Sequence, residues 1–354
     1  MVIRVTKLES LGFFLLAAII LCYHATPVTA LERSYTQFEH FFPAWDVIIK
    51  DQLQKNCTKD LNAYRNRSDP TPQLGYHVIG CILESMPEFR KAELASAAVI
   101  LGLAPSMLQL MSASYLDTAV LAFRRPGLAF LLAMSSSGVR PLTATEYDDF
   151  IKTMGNDPFH TNFGNPESVW APTMMSLLEY VIAAASVANN AHLAHQLSTW
   201  AVCTFAPAQD FLPAVWTAAA LAIHLVGYLA AKMKITVEEK VERVTENRQG
   251  GLWTELTPTP WQNRLEVKAN DRHSGWFLVL VSALYVGDAL QAIWGTLVLS
   301  SLVFISVRDS AIIVIRLMAS ALFARAILIY ELAGFKTDKE GHDVSQKPFL
   351  SADP

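Results

Sequence analysis

Two long apolar runs in the C-terminal part of the chain carry ionisable residues. Asp288 lies in the middle of the run 275–300, and Arg316 and Arg325 interrupt the run 311–335. A charge at membrane depth costs about 2.5–3.5 kcal/mol, so such side chains usually face the interior of a helix bundle. The two runs therefore predict membrane-spanning helices that enclose a polar interior.

The polar interior contains groups that could carry out acid chemistry. With a rise of about 1.5 Å per residue, Asp288 falls near the centre of the bilayer, and Glu179 and His224 fall within about 7 Å of that depth. An apolar cavity disfavours the ionised form of a carboxyl group, which can then donate a proton. Glu179 and Asp288 are thus the candidate catalytic acids, with His224 as an assisting group or a packed core residue.

The alternative is that the interior charges only join helices. In this interpretation Asp288 pairs with Arg316 or Arg325 and holds the last two helices together. Asn189 and Asn190 lie near the depth of Arg316 and would add interhelical hydrogen bonds.

Aromatic residues also lie in or at the ends of the apolar runs. They fit an interfacial belt or a packed core. If the interior is a cavity that handles a cation, their ring faces would line and stabilise it. The four candidates for this lining are Tyr180, Trp216, Tyr285 and Trp294.

The composition excludes several classes of protein. The 354 residues are 52% hydrophobic and 17% charged, whereas a soluble domain has about 25% charged residues. The net charge is −4 and no basic stripe is present, which argues against a nucleic-acid partner. No Walker loop, serine-hydrolase elbow or dinucleotide fingerprint occurs. We predict no cofactor and no metal; the partners are the lipid bilayer and an apolar small-molecule substrate, and protein partners are undefined.

The N-terminal segment has the features of a secretory signal peptide over residues 1–30, or of an uncleaved anchor. A small lumenal or extracellular head is predicted for residues 31–91. Cys57 and Cys81 would form a disulfide there, because the compartment is oxidising. Asn56 and Asn66 begin two glycosylation acceptor sequences in the same segment.

The remaining chain predicts an all-α integral membrane protein, with a transmembrane helical bundle over 92–335. Five helices are predicted if the stretch 113–142 lies at the interface or re-enters, and six if residues 126–142 span. The positive-inside rule favours five, with a cytosolic loop 232–274 and a cytosolic tail 336–354.

Six segments between residues 90 and 235 carry a resemblance to known proteins: AVILGLAP at 98–105, RP at 125–126, VANN at 187–190, WAVCT at 200–204, LPAVW at 212–216 and HLVG at 224–227. Together they resemble a family of multi-pass membrane proteins of filamentous fungi that has no settled activity. Fungi place membrane-embedded terpene cyclases in secondary-metabolite pathways, which supports that function by analogy only.

Three functions are compatible with these observations. The first is a membrane enzyme on an apolar substrate, most concretely a proton-initiated cyclase of a polyprenyl chain or its epoxide, acting without a cofactor. The second is a transporter or ligand-binding protein in which the same charges line a path. The third is a structural or accessory membrane glycoprotein. For all three functions the expected location is a membrane of the secretory pathway, either the endoplasmic reticulum or the plasma membrane.

Overall fold

The chain forms helices wherever an apolar run is long enough. The structure is a computed structural model that describes residues 37–66, 73–142, 170–239, 255–261, 265–269 and 275–337. The predicted signal peptide and the chain beyond residue 337 lie outside the described residues. The helices are α1 (Asp46–Lys55), α2 (Thr58–Arg65), α3 (Gln73–Ser85), α4 (Glu88–Met111), α5 (Tyr115–Ala122), α6 (Pro126–Met134), α7 (Ala171–Thr199), α8 (Leu212–Lys234), α9 (Gly275–Ser300) and α10 (Val307–Leu332).

Five of these helices are long and apolar enough to cross a membrane: α4, α7, α8, α9 and α10. The shortest has 23 residues and is therefore about 34 Å long, against about 30 Å of hydrocarbon. Their outer faces carry large apolar side chains such as Leu110, Ile293 and Ile315, which are 78%, 58% and 64% exposed. Such faces suit lipid rather than water. The fold is that of a multi-pass membrane protein with five candidate spans.

Helices α1–α3 form a small head at one end of the bundle, which we call the head end. The predicted disulfide between Cys57 and Cys81 is present and staples α2 to α3. The head packs on the short two-stranded sheet of β1 (Val202–Cys203) and β4 (Leu302–Val303). Phe41 meets Phe304 edge to face, and Phe42 meets Trp200 in the same way. The helix ends at Thr199 and Ser300 therefore lie at the head end.

The opposite end of the bundle, which we call the far end, carries a three-stranded sheet that an all-α fold does not include. Strand β2 (Ile235–Glu239) pairs antiparallel with β3 (Leu265–Ala269), which pairs parallel with β5 (Phe335–Thr337). Each strand follows or precedes a long helix, and β3 alternates apolar with polar residues along its whole length. They are too short to stand out beside 25-residue apolar runs, which is why the sequence interpretation missed them.

The first candidate span, α4, is long enough to cross but begins in the head. A Cβ on Gly102, in the middle of α4, would lie 3.1 Å from the Cβ of Ser300, where α9 ends at the head end, so α4 ends inside the bundle. Helix α4 ends at Met111, and α5 and α6 have only 8 and 9 residues. The connection between α5 and α6 contains Arg125, which bonds to Glu179 near the start of α7 and to Glu331 near the end of α10. This connection therefore lies at the far end.

Helix α6 then returns toward the middle of the bundle. A Cβ placed on Gly138 would lie 2.9 Å from the Cβ of Leu108, so the turn after α6 reaches the level of the end of α4. Helices α5 and α6 form a hairpin that re-enters without crossing, and α7 begins at the far end. The geometry agrees with five spans rather than six.

Close helix packing generates a first prediction about two glycines of α9. An alanine Cβ at Gly295 would lie 2.2 Å from Nε1 of the fully buried Trp216, whereas one at Gly287 meets nothing within 4 Å. Gly295→Ala should lower the unfolding free energy by about 1–3 kcal/mol through overpacking. Gly287→Ala is the matched control and should cause no loss. Thermal unfolding of the purified protein in detergent measures both, and equal melting temperatures would contradict this packing.

Candidate functional site

The break between α4 and α5 leaves two helix ends inside the bundle. The carbonyl oxygens of Leu110 and Met111, at the end of α4, accept hydrogen bonds of 3.2 and 3.4 Å from Nη1 of Arg325. A helix C-terminus carries partial negative charge, so a guanidinium stabilises it. Arg325 on α10 thus caps the broken helix.

The start of α5 is capped by its own residues. The backbone N–H of Asp117 donates to Oγ of Ser114 at 3.1 Å, and the N–H of Ser114 donates to Oδ2 of Asp117 at 2.9 Å. This reciprocal capping box also places a carboxylate at the positive end of the helix. Backbone groups at the end of α4 and at the start of α5 therefore have hydrogen-bond partners, which apolar surroundings require.

The non-helical turn after α6 is held by side chains from two other helices. Nδ2 of Asn190 donates to the carbonyl oxygen of Ser135 at 2.6 Å, and Nε2 of Gln291 donates to that of Ser137 at 2.8 Å. The hydroxyls of Ser112 and Ser136 bond at 2.7 Å and join the break to the turn. Irregular backbone at this depth is tolerated because the protein supplies these partners.

Asp288 faces this polar layer without a basic partner. Its side chain is 2% exposed, and neither carboxylate oxygen has a hydrogen-bond partner in the described part of the chain. Its backbone carbonyl accepts a 3.2 Å hydrogen bond from Nε2 of Gln109, near the end of α4. Asp288 lies one helical turn before Gln291 on the same buried face of α9. It is the one acid of the five spans that the sequence analysis placed at the bilayer centre.

The predicted pairing of Asp288 with an arginine is wrong. Arg316 instead donates from Nε to Oδ1 of Asn189 at 2.9 Å and from Nη1 to Oε1 of Gln196 at 3.2 Å. Arg325 is occupied by the end of α4. Broken-helix carbonyls and amide side chains are acceptors that the spacing of charges in a sequence does not reveal.

A second buried polar cluster lies at the far end around Arg125, whose side chain is fully buried. Nη1 donates to Glu179 at 2.5 Å and to Glu331 at 2.8 Å, and Nη2 donates to Oγ of Ser176 at 2.5 Å. Nε donates to the carbonyl oxygen of Glu255 at 2.8 Å. One cation thus joins α6, α7, α10 and the segment before β3.

This cluster places two acids on one arginine. Burial alone would lower the pKa of Arg125, but the carboxylates of Glu331 and Glu179 raise it above its ordinary value. Glu331 also accepts hydrogen bonds from the backbone N–H and the hydroxyl of Thr259. Glu179, predicted as a free acid, is therefore the ion-pair partner of Arg125.

Tyr180 belongs to the same far-end cluster. Its hydroxyl donates to Oε1 of Glu255 at 2.8 Å, and its ring lies 5.5 Å from the guanidinium carbon of Arg125. Oε1 of Glu255 also accepts from the backbone N–H of Gly127 at 2.7 Å, at the N-terminus of α6. The cation that the ring of Tyr180 faces is thus the side chain of Arg125 within the protein.

His224 has a separate environment. Its Nδ1 lies 2.8 Å from the hydroxyl of Thr118 on α5. Beside it is a cavity of about 10 Å³, lined also by Ala122, Ala129 and Tyr228, with room for one water molecule at most. Glu179, His224 and Asp288 therefore share no hydrogen-bond partner among the described contacts, and the structure does not assemble them into one catalytic group.

The remaining aromatic candidates do not form a cavity wall. Trp216 packs directly on Gly295 in the core, whereas Tyr285 and Trp294 are 52% and 37% exposed on the outside of α9. Because α9 turns Asp288 inward, residues on other phases of the helix face outward. The four aromatic residues predicted to line one cavity are therefore not found around a common cavity.

Three features of the site were missed by sequence reasoning. The sequence pattern predicts no partner for Arg125, and Glu331 lies within the apolar run 311–335. The Ser135–Ser137 segment was not singled out. Arg124-Arg125-Pro126 inside an apolar stretch is the one signal that could have suggested a buried cation. In the described residues no group of three or more His, Cys, Asp or Glu side chains could hold a metal ion.

No protein-family model, no curated protein and no solved structure matches this chain. No family is therefore assigned. The resemblance of roughly residues 90–235 to fungal membrane proteins stays a prediction.

The far-end cluster generates a second prediction. Arg125→Gln leaves two buried carboxylates without their cation and should lower the unfolding free energy by about 3–5 kcal/mol. Glu179→Gln is the matched comparison, because Arg125 keeps Glu331, and its loss should be less than half as large. Melting temperatures of the purified proteins test this. An equal fall in melting temperature for the two variants would show that Glu331 alone does not stabilise the buried Arg125.

Proposed function

We propose that this protein is a membrane transporter or ligand-binding protein whose site lies at the break between α4 and α5. The observation that carries the proposal is an unpartnered buried carboxylate, Asp288, beside two capped helix ends. Interrupted helices at the middle of the bilayer are the elements from which transporters build substrate and ion sites. The re-entrant hairpin of α5 and α6 adds a second interruption at the same depth.

The contrast with the other intramembrane charges supports this function. Arg316, Arg325 and Glu179 each bond to partners inside the protein. A purely structural bundle would satisfy Asp288 in the same way or replace it with an apolar residue, because a buried unpaired charge is strongly destabilising. An unpaired buried acid at this position is therefore better explained by a ligand that meets it during function.

A membrane enzyme on an apolar substrate is the second candidate, and Asp288 also supports it. A buried carboxyl without a basic partner is what a proton donor requires, as in a proton-initiated terpene cyclase. Two observations weigh against this function. Glu179 is held by Arg125, and Tyr285 and Trp294 face outward.

We further propose that the protein belongs to the secretory pathway, with the head in the lumen or outside the cell. The disulfide supports an oxidising environment. Asn56 and Asn66 are exposed at the ends of α1 and α2, where a glycan could be attached. Lys232 and Lys234 at the far end fit the cytosolic side.

The third prediction tests the function in cells. Small molecules in cells and in medium are compared between cells with the gene, without it, and with Asp288→Asn. Transport predicts that an unchanged set of compounds shifts between cell and medium, and that Asp288→Asn reproduces the deletion at normal protein abundance. Asp51→Asn, which changes an exposed acid of the head, should behave like the unaltered protein.

The other outcomes separate the alternatives. Accumulation of a linear precursor with loss of a cyclised product would support the enzyme and contradict transport. No change on deletion would contradict both and favour a structural glycoprotein.

A further inference from the structure

Four buried side-chain oxygens in the middle of the bundle have no hydrogen-bond partner in the described part of the chain. They are Oδ1 and Oδ2 of Asp288, Oγ of Ser137 and Oδ1 of Asn190. The three side chains are 2%, 2% and 5% exposed. Buried polar atoms are almost always satisfied, so a group of four calls for an explanation.

Hydrogen bonds made by these residues and their neighbours place the oxygens around one turn, Ser135–Gly138. Gln291, one turn from Asp288, bonds to the carbonyl oxygen of Ser137. The amide nitrogen of Asn190 faces the carbonyl of Ser135, because only the nitrogen can donate, and this leaves Oδ1 as an acceptor. A Cβ on Gly138 would lie 3.2 Å from the backbone nitrogen of Gln109, whose side chain bonds to the backbone of Asp288.

The charge of this layer is negative. It contains one carboxylate and the C-terminal end of α6, both of which favour a cation. The titratable groups on the elements packed around it have partners of their own, or lie at its edge. His224 on α8 bonds to Thr118, Lys234 on α8 lies 5.0 Å from the ring of Phe277, and Arg325 on α10 caps α4. Asp117 of α5 caps its own helix, and the side chain of Arg140 is exposed beside the break.

The chemical type of the four unpartnered atoms limits which class of ligand could bind them. All four orphan atoms are oxygens, which bind hard cations. A single carboxylate neutralises one positive charge, so a divalent ion would leave an excess charge in an apolar layer. An anion would be repelled by the same carboxylate.

We propose that Asp288 and the Ser135–Gly138 turn form a binding site for one monovalent cation, either a proton or an alkali-metal ion. The cation neutralises Asp288 inside the bundle. The inference rests on the proposed function, since it names the ligand of the same site.

The fourth prediction measures binding in the purified full-length protein in neutral detergent. Thermal unfolding is followed at constant ionic strength in sodium, potassium or choline chloride, at acidic and at neutral pH. An alkali-metal site raises the melting temperature over choline at neutral pH, by about 5 °C when the ion is at 100 times its Kd. A proton site gives a higher melting temperature at acidic than at neutral pH in choline alone. Asp288→Asn should lose whichever response occurs, and Asp51→Asn should keep it.

The proposal would be overturned if Asp288→Asn retained the full change in melting temperature. It would also be overturned if the unaltered protein showed no change with ion or pH. If Asp288→Asn does not fold, an apolar carbodiimide provides the test on the unaltered protein. The extent of labelling at Asp288, measured by mass spectrometry, should increase at acidic pH for a proton site or decrease when the alkali-metal ion is added. An extent of labelling that changes with neither pH nor the ion would overturn the proposal. Cation binding without transport in cells would contradict a transport function and leave this inference intact. Transport without a cation response would contradict this inference alone.

Discussion

The need to satisfy every backbone hydrogen-bonding group away from water governs this structure. The first candidate span, α4, does not reach the far end: it ends at Met111 inside the bundle, α5 leads on to the far end, and α6 turns back. Each interruption exposes carbonyl or N–H groups that lipid cannot satisfy. Arg325, the Ser114–Asp117 capping box, Asn190 and Gln291 supply the partners. The polar residues of α7, α9 and α10 therefore follow from the interruption.

The same constraint explains the far end, where the hairpin turns. Arg125 is fully buried there and meets Glu179 and Glu331, while Glu255 binds the N-terminus of α6. A buried ion cluster contributes little net stability compared with apolar packing but fixes which elements meet. It holds the hairpin against α7 and α10, and so positions the turn that carries Ser137 beside Asp288. The two polar clusters thus depend on each other through α6.

The sequence was sufficient for the coarse fold but not for the site. Apolar runs of 20 residues or more identify spanning helices because only helices satisfy their own backbone in lipid. The disulfide followed from two cysteines in one polar segment. Asp288 was recognised as buried, but its environment was not, because its neighbours Gln109, Ser137 and Gln291 are uncharged and come from distant parts of the chain. The pairing of Arg125 with Glu331, 206 residues apart, likewise leaves no local pattern.

The most direct test of the account is whether the α5–α6 hairpin re-enters or crosses, and glycan mapping decides it. The substitution Ile151→Asn creates a glycosylation acceptor with the following Lys152 and Thr153, in the connection between α6 and α7. If the hairpin re-enters, glycosidase treatment should remove glycans attached at Asn56 or Asn66, and Ile151→Asn should add none, because α7 begins at the far end. An additional glycan in the Ile151→Asn variant would mean that residues 126–142 cross the membrane, and it would contradict the re-entrant hairpin on which the site depends.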